Sequence, residues 1–406
     1  MEARRRPLEG VTIADFSWVL AGPRATEFLG ALGARVIKIE GPYRFDQFRS
    51  AVAPMPDTDM EKYSASFWSL NYSKLGCTID IMQPKGRELA LEIVKLSDVV
   101  IENYAYGVME RARLTYEDLR QVKPDIIMVS GSAVGRTGPS KAHVTYGALL
   151  HAFSGVNSVT GHEGEEAGII GGTWADPLTA ATLVLAVLAA IWYKRRTGKG
   201  QSIDCSMGET TMNQIPELFL DYTVNGRVAQ PHGNNDQRGG PHNSYPCREA
   251  ETWLAITVRN QQEWQAFCSV IGEPEWTADP RFADQYRRWK NRHILDDFVK
   301  GWTKTQNAAE AMHLLQRAGV PAAVCHNSKG ISEDPHLKSR GFLVELEHEI
   351  VGRKPIVRLP WLLNPGPNGH YFPAPLLGQH NDFVFRELLG LSVATIEDLR
   401  ADKVIL

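Results

Sequence analysis

Asp176 stands where a glycine-rich turn, Gly171-Gly-Thr-Trp-Ala, gives way to an apolar run that begins Pro177-Leu-Thr-Ala-Ala-Thr-Leu-Val-Leu. A carboxylate at the start of a buried helix can stay ionised, be aimed by the backbone and be shielded from water, as a carboxylate nucleophile requires. A free Asp has a pKa near ~3.9 and a helix start favours the anion, so such a nucleophile would be charged at neutral pH. The pair also has a structural meaning, with Asp as N-cap and Pro at the first helical position. Read locally, the cap is the simpler meaning. The cysteines offer less: Cys77, Cys205, Cys247, Cys268 and Cys325 are odd in number and form no C-x-x-C pair, a pattern that fits a reduced, cytoplasmic setting.

Size and charge narrow the field. A chain of 406 residues is long for one core, so two domains are expected. The net charge of −3 offers no basic excess for nucleic acid or an anionic membrane. The Met1–Pro7 start is basic, but no apolar segment follows it as in a secretory signal. The apolar run Leu178–Tyr193 is shorter than the ~20 residues a membrane span needs and reads as a helix buried inside a domain.

The elements that must position Asp176 alternate. Val11–Phe16, Ala34–Glu40, Cys77–Asp80, Ser97–Glu102 and Asp125–Ser130 read as strands, with helices at 25–32, 83–96 and 116–121 between them. That order predicts a parallel, Rossmann-like doubly wound α/β sheet. The turn after the first strand, Val19-Leu-Ala-Gly-Pro-Arg, lacks the G-x-G-x-x-G fingerprint, which argues against a nicotinamide or flavin cofactor. A helix over 178–196 closes on Lys194-Arg-Arg-Thr-Gly198, a strand follows at 201–206, and a helix is expected from Glu209 to Tyr222. Residues 226–244 have little periodicity and read as a linker or a loop over a site. The expected division is 1–225 as the first part of a large domain, 226–330 as linker and small α+β domain, and 331–406 as a return segment, with a closing helix near Asp382–Leu388.

Six strings, in order, resemble one family: Pro7-Leu-Glu-Gly-Val with Asp15-Phe-Ser; Ala21-Gly-Pro; Leu32-Gly-Ala-Arg-Val-Ile-Lys-Ile-Glu40; Asp98-Val-Val-Ile-Glu-Asn103-Tyr104; Thr197-Gly-Lys-Gly-Gln201; and Pro375-Leu-Leu-Gly-Gln-His380. The chain is similar from about residue 7 to its end to the class III CoA-transferases, which include formyl-CoA and carnitine CoA-transferases and α-methylacyl-CoA racemase. The resemblance implies a Rossmann-like large domain, a small inserted domain and an interlocked dimer. It makes Asp176 the nucleophile and a coenzyme A thioester the substrate, with no tightly bound cofactor and no metal. It places CoA contacts on Val19, Ala21, Ile79, Asn103, Tyr104, Val108, Arg111, Tyr146 and Met207.

Some positions depart from the family pattern. Leu20 stands where many transferases carry Gln, which implies a less polar acyl pocket. Val144 replaces a usual basic residue, so the CoA phosphates would turn to Arg44, Arg49 or Lys141. Racemisation needs a base on each face of the α-carbon. The position thirty residues before Asp176 is Tyr146, a poor proton acceptor at neutral pH. His143 is then the one serious rival, and His151 lies too far along to substitute. Oxyanion donors are expected near Gly171-Gly172 or in 238–243, and water exclusion from Trp18 and Trp174. An acyl pocket is expected from Trp18, Leu20, Trp174, His232, His242, Asn243 and Tyr245. The reading is CoA transfer from a donor such as succinyl-CoA to a free acid such as benzylsuccinate. The alternatives are a racemase and one subunit of a hetero-oligomeric transferase.

Overall fold

A computed structural model of the chain describes residues 5–49, 65–236, 238–364 and 366–406. Met1–Arg4, the first part of the basic start, lie outside the described residues. The chain divides into two compact units. The first holds 1–158, 168–229 and 341–406, and the second holds 159–167 and 230–340.

Six parallel strands organise the first unit: β1 (Thr12–Asp15), β2 (Arg35–Glu40), β3 (Leu75–Thr78), β4 (Val99–Glu102), β5 (Ile127–Ser132) and β6 (Ser202–Ser206). Their order is β3-β2-β1-β4-β5-β6. The order reverses direction between β1 and β4, and in open α/β sheets the crevice beyond the carboxyl ends of the strands at such a point is where ligands bind. Alternation along each strand fills two cores. Ile13, Val36, Val99 and Ile101 join α1 (Ala21–Ala31) and the long helix α7 (Ala175–Thr197) on one face. Ala14, Ile37 and Val100 join α3 (Pro84–Lys95) and α16 (Val393–Ala401) on the other. Period-two side chains buried on both faces are what a covered parallel sheet demands.

The chain's end returns to the free edge of β3. The Thr78 N–H donates to Asn381 Oδ1 at 2.9 Å and the Gly76 N–H donates to His380 Nδ1 at 3.1 Å. The His380 N–H bonds Gly76 O in turn. The string Pro375–His380 thus satisfies an edge strand, with an antiparallel hairpin, β10 (Leu343–His348) and β11 (Gly352–Val357), earlier in the same segment.

Several expectations change. The helix expected over 209–222 is two, α8 (Met207–Met212) and α9 (Pro216–Asn225), because Pro216 has no N–H to continue a helix and instead starts the next. The closing region is a π-helical turn at Phe383–Leu388 followed by α16, whose start is capped by Ser392. Helix α7 runs 23 residues, long and apolar enough by length and composition to cross a membrane, where the sequence run had read as too short. Half of its most apolar stretch is buried in this unit, while Leu185 and Trp192 on its other side are exposed.

In the second unit, strands β7 (His242–Pro246), β8 (Trp253–Thr257) and β9 (Ala322–Val324) form an antiparallel sheet. Helices α10 (Gln261–Val270), α12 (Arg292–Thr303) and α13 (Ala308–Arg317) pack on it around Trp264, Phe267 and Leu295.

Candidate active site

The turn between β1 and α1 is built on buried charge. Asp15, at the end of β1, accepts from Ser17, from Thr26 Oγ1 at 2.6 Å and from Lys74 Nζ at 3.2 Å. Lys74 also donates to Pro23 O at 2.8 Å, and Lys38 Nζ donates to Ser17 O at 2.8 Å and Asp46 Oδ2 at 3.0 Å. Burial pushes the Asp15 carboxyl up, but Lys74, Lys38 and the two hydroxyls outweigh it and hold the group below its ordinary range. Lys38 and Glu40, set within the apolar string Val36-Ile-Lys-Ile-Glu40, are the visible signal of this network in the sequence. Arg49 belongs to it as well: it is buried in a two-point pair with Glu40, so it is not free for a phosphate.

Above this base the turn is pinned from β4. The Trp18 N–H donates to Asn103 Oδ1 and Asn103 Nδ2 donates to Trp18 O, both at 2.8 Å. Val19 takes a φ of 67°, costly for a β-branched residue, while its N–H donates to the Asp46 carboxylate at 3.2 Å. Asn103 therefore acts on the turn itself. Trp18 packs edge-on to Tyr104, with ring centroids 5.5 Å apart.

A cavity of about 620 Å³, counting its open mouth, lies at the same end of the sheet. Ile79, Tyr104, Val108 and Arg111 line it, together with Trp18 and Arg44. Neither Arg44 nor Arg111 is paired with an acid among the described residues. Phe16, Ile39, Ile81 and Met82 give it further apolar wall, and Asp80 lines it as well. Lys141 is not among the lining residues; it is exposed, with its ammonium over the Tyr106 ring at 4.7 Å.

At the other end of the turn is Asp176. Helix α7 begins at Ala175 with Trp174 as its N-cap, so Asp176 is the second helical residue and Pro177 the third, which corrects the cap reading. Asp176 is 8% exposed. The backbone N–H groups of Asp176 and Ala21 point at its carboxylate, so two helix starts face one anion. Oδ2 is buried without a hydrogen-bond partner among the described residues. It lies against Gly147, where a β-carbon would fall on top of it. Burial pushes the Asp176 carboxyl up to about 6, and the two N–H groups pull only part of the way back. Ala21, Leu150, Ala175 and Met207 form the small apolar cluster beneath.

Other expected groups lie elsewhere. The Tyr146 ring is 56% exposed at the start of α6 (Gly147–Phe153), and His143 is exposed in the loop before it. Trp174 is 58% exposed, so within this chain it does not seal the site. Gly171 and Gly172 are exposed, and the backbone donors brought to the carboxylate are those of Ala21 and Asp176. Tyr245 is a core residue of the second unit, donating to Asp296 Oδ1 at 2.5 Å, which removes it from a pocket lining. His151, set aside in the sequence, is fully buried and accepts the Ala175 N–H on Nε2 at 2.9 Å.

Residues 8–381 match the profile described as CoA-transferase family III. The chain belongs to that family. This transferase is 30% identical over 403 residues to the succinyl-CoA–D-citramalate CoA-transferase of Chloroflexus aurantiacus, covering 98% of each chain. It is 31% identical over 416 residues to a formyl-CoA:oxalate CoA-transferase of Bradyrhizobium sp., covering 97% of this chain and 96% of the other. The solved structure of a CAIB/BAIF family protein from Brucella suis matches with a TM-score of 0.87 at 28% identity, over 95% of this chain and 100% of that one.

Proposed function

We propose that this transferase moves CoA from a donor acyl-CoA to a free carboxylic acid through covalent intermediates on Asp176. The observation that carries this reading is the placement of an under-partnered carboxylate at one end of the Trp18–Ala21 turn and, at the other, a largely apolar cavity lined by two cations and one acid, Asp80. Three residue steps separate Trp18 from Ala21, a span of at most roughly 11 Å. A nucleotide held in the cavity by Arg44 and Arg111, with its base against Ile79 and Tyr104, would send its pantetheine arm along that turn.

The ionised Asp176 attacks the thioester carbonyl and CoA leaves as the thiolate, giving a mixed aspartyl anhydride. The thiolate then attacks the aspartyl carbonyl, which releases the donor acid and leaves an aspartyl-CoA thioester. The acceptor carboxylate displaces the thiolate to form a second anhydride. The thiolate finally attacks the acceptor's carbonyl, giving the new thioester and restoring Asp176. Each covalent form of Asp176 is neutral, so forming it relieves the cost of a buried carboxylate with one unpaired oxygen. The Ala21 N–H faces the carboxyl group and is positioned to meet an oxyanion developing there.

For the donor we favour succinyl-CoA and for the acceptor a dicarboxylic acid, as the names of the citramalate and oxalate relatives suggest. The apolar Trp18 and Leu20 at the turn suit an aryl-substituted member such as benzylsuccinate. We also propose an interlocked homodimer, supported by apolar side chains left exposed on α7 and α9, among them Leu185, Trp192, Phe219 and Leu220. Five unpaired thiols fit a cytoplasmic enzyme.

The test is acyl exchange between succinyl-CoA and a panel of free acids. Loss of exchange in Asp176→Ala with the fold intact supports the reading, and retained exchange removes Asp176 from the chemistry. Solvent deuterium entering the α-carbon without exchange would replace transfer by racemisation.

A further inference from the structure

The first turn of a helix leaves its N–H groups without intrahelical acceptors, and they are usually met by a side chain at the N-cap. Helix α7 has no such cap: Trp174 occupies the position and cannot accept. The acceptor comes instead from α6, 24 residues upstream, where His151 Nε2 takes the Ala175 N–H at 2.9 Å. Gly147 and His151 are four residues apart and so share one face of α6. That face meets the start of α7 twice. At Gly147 the backbone comes so close that an added β-carbon would fall on Asp176 Oδ2 and within 2.9 Å of Thr173 Cβ. At His151 the ring holds the Trp174–Ala175 peptide, one peptide before the Asp176 amide.

We propose that His151 is a positioning residue for Asp176: by accepting the Ala175 N–H it fixes the first turn of α7, and with it the direction in which the carboxylate points. The inference rests on the reading of Asp176 as the nucleophile. To accept at Nε2 the ring must carry its proton on Nδ1, which is buried and without a partner among the described residues. Burial pushes the imidazole below its ordinary range and favours that uncharged form. A charged imidazole has no acceptor left, so the contact exists only with the neutral ring.

Three variants test the proposal: His151→Gln, which can keep an acceptor at similar reach; His151→Leu, which keeps bulk and removes it; and Asp176→Asn as the reference. Because the CoA cavity is lined by other residues, His151→Leu is expected to lower kcat by about 10- to 100-fold with KM for the donor acyl-CoA within about 3-fold, the scale of a misaimed reacting group. His151→Gln should stay within about 3-fold of the parent in both. Unchanged kcat in His151→Leu overturns the proposal, as does a fall in His151→Gln as deep as in His151→Leu, which would mark a packing role. If Asp176→Asn is inactive and His151→Leu is not, this inference alone fails. If Asp176→Asn keeps its exchange, the nucleophile reading fails and takes this one with it. Should His151→Leu not fold, nitrogen chemical shifts of the parent protein decide: a protonated Nε2 contradicts the proposal and a protonated Nδ1 supports it.

Discussion

Two groups of buried carboxylates meet at the β1–α1 turn, and the fold treats them in opposite ways. Beneath the turn, Asp15 is met by a lysine and two hydroxyls, Glu40 by Nε and Nη2 of Arg49, and Asp46 by Lys38 and by backbone N–H groups. Asp15 and Glu40 are held below the ordinary carboxylate range in spite of complete burial. At the end of the turn, Asp176 has, among the described residues, no cation beside it and one oxygen without a partner, and its pKa is raised to about 6. A buried charge used as structure is paired, whereas one kept for chemistry is left short of partners so that a covalent bond can supply what solvent does not.

The largest effect should separate the groups by activity. Asp176→Asn is expected to lower acyl exchange by roughly 10⁴-fold or more, as removal of a nucleophile does. Next in size is the structural side. Asp15→Asn strands Lys74 in the interior and should cost about 3–5 kcal/mol in urea unfolding at neutral pH. Asp15 is held low, so its contribution is present above the unfolded pKa and is lost as pH falls through the folded one.

The two substitutions should have opposite signs in stability. The folded pKa of Asp176 lies above the ordinary 3.8 of a free carboxyl of this kind, so native protein retains a proton between pH 4 and 6 that unfolded chain has lost. Stability tied to that proton is complete below about pH 4 and disappears as pH rises through about 6. Asp176→Asn has no charge to bury. It should match the parent at pH 4 and exceed it at pH 8 by on the order of 2–3 kcal/mol in denaturant unfolding. Equal stability at both values would show that Asp176 is not strained by burial. The smallest effect belongs to the cavity: Arg111→Ala should raise KM for acyl-CoA about 10-fold, more weakly at high salt, and leave kcat unchanged.

Much of this arrangement was legible in the sequence because it rests on local rules. The alternation of apolar strands with helices predicts the doubly wound sheet, and Ile79, Tyr104, Val108 and Arg111, named through the family resemblance, lie around one cavity. What escaped depends on approach between distant segments. In the sequence His151 is weighed only as a substitute base for racemisation and reads as too far along for that; its contact with Ala175 depends on the packing of α6 against the start of α7. Arg49 read as a free cation because its partner Glu40 is set by the path of the chain beyond β2. The cap assignment failed by two residues: the helix starts at Ala175, and an N–H partner from another element replaced the expected side chain.

The most direct measurement is to trap the intermediate. The protein is incubated with succinyl-CoA, quenched with hydroxylamine and digested, and the peptide that carries Asp176 is weighed. The account predicts a hydroxamate on Asp176 that requires the acyl-CoA and is absent without it. Unmodified Asp176 under conditions of rapid exchange, or a hydroxamate on another carboxylate, would contradict it.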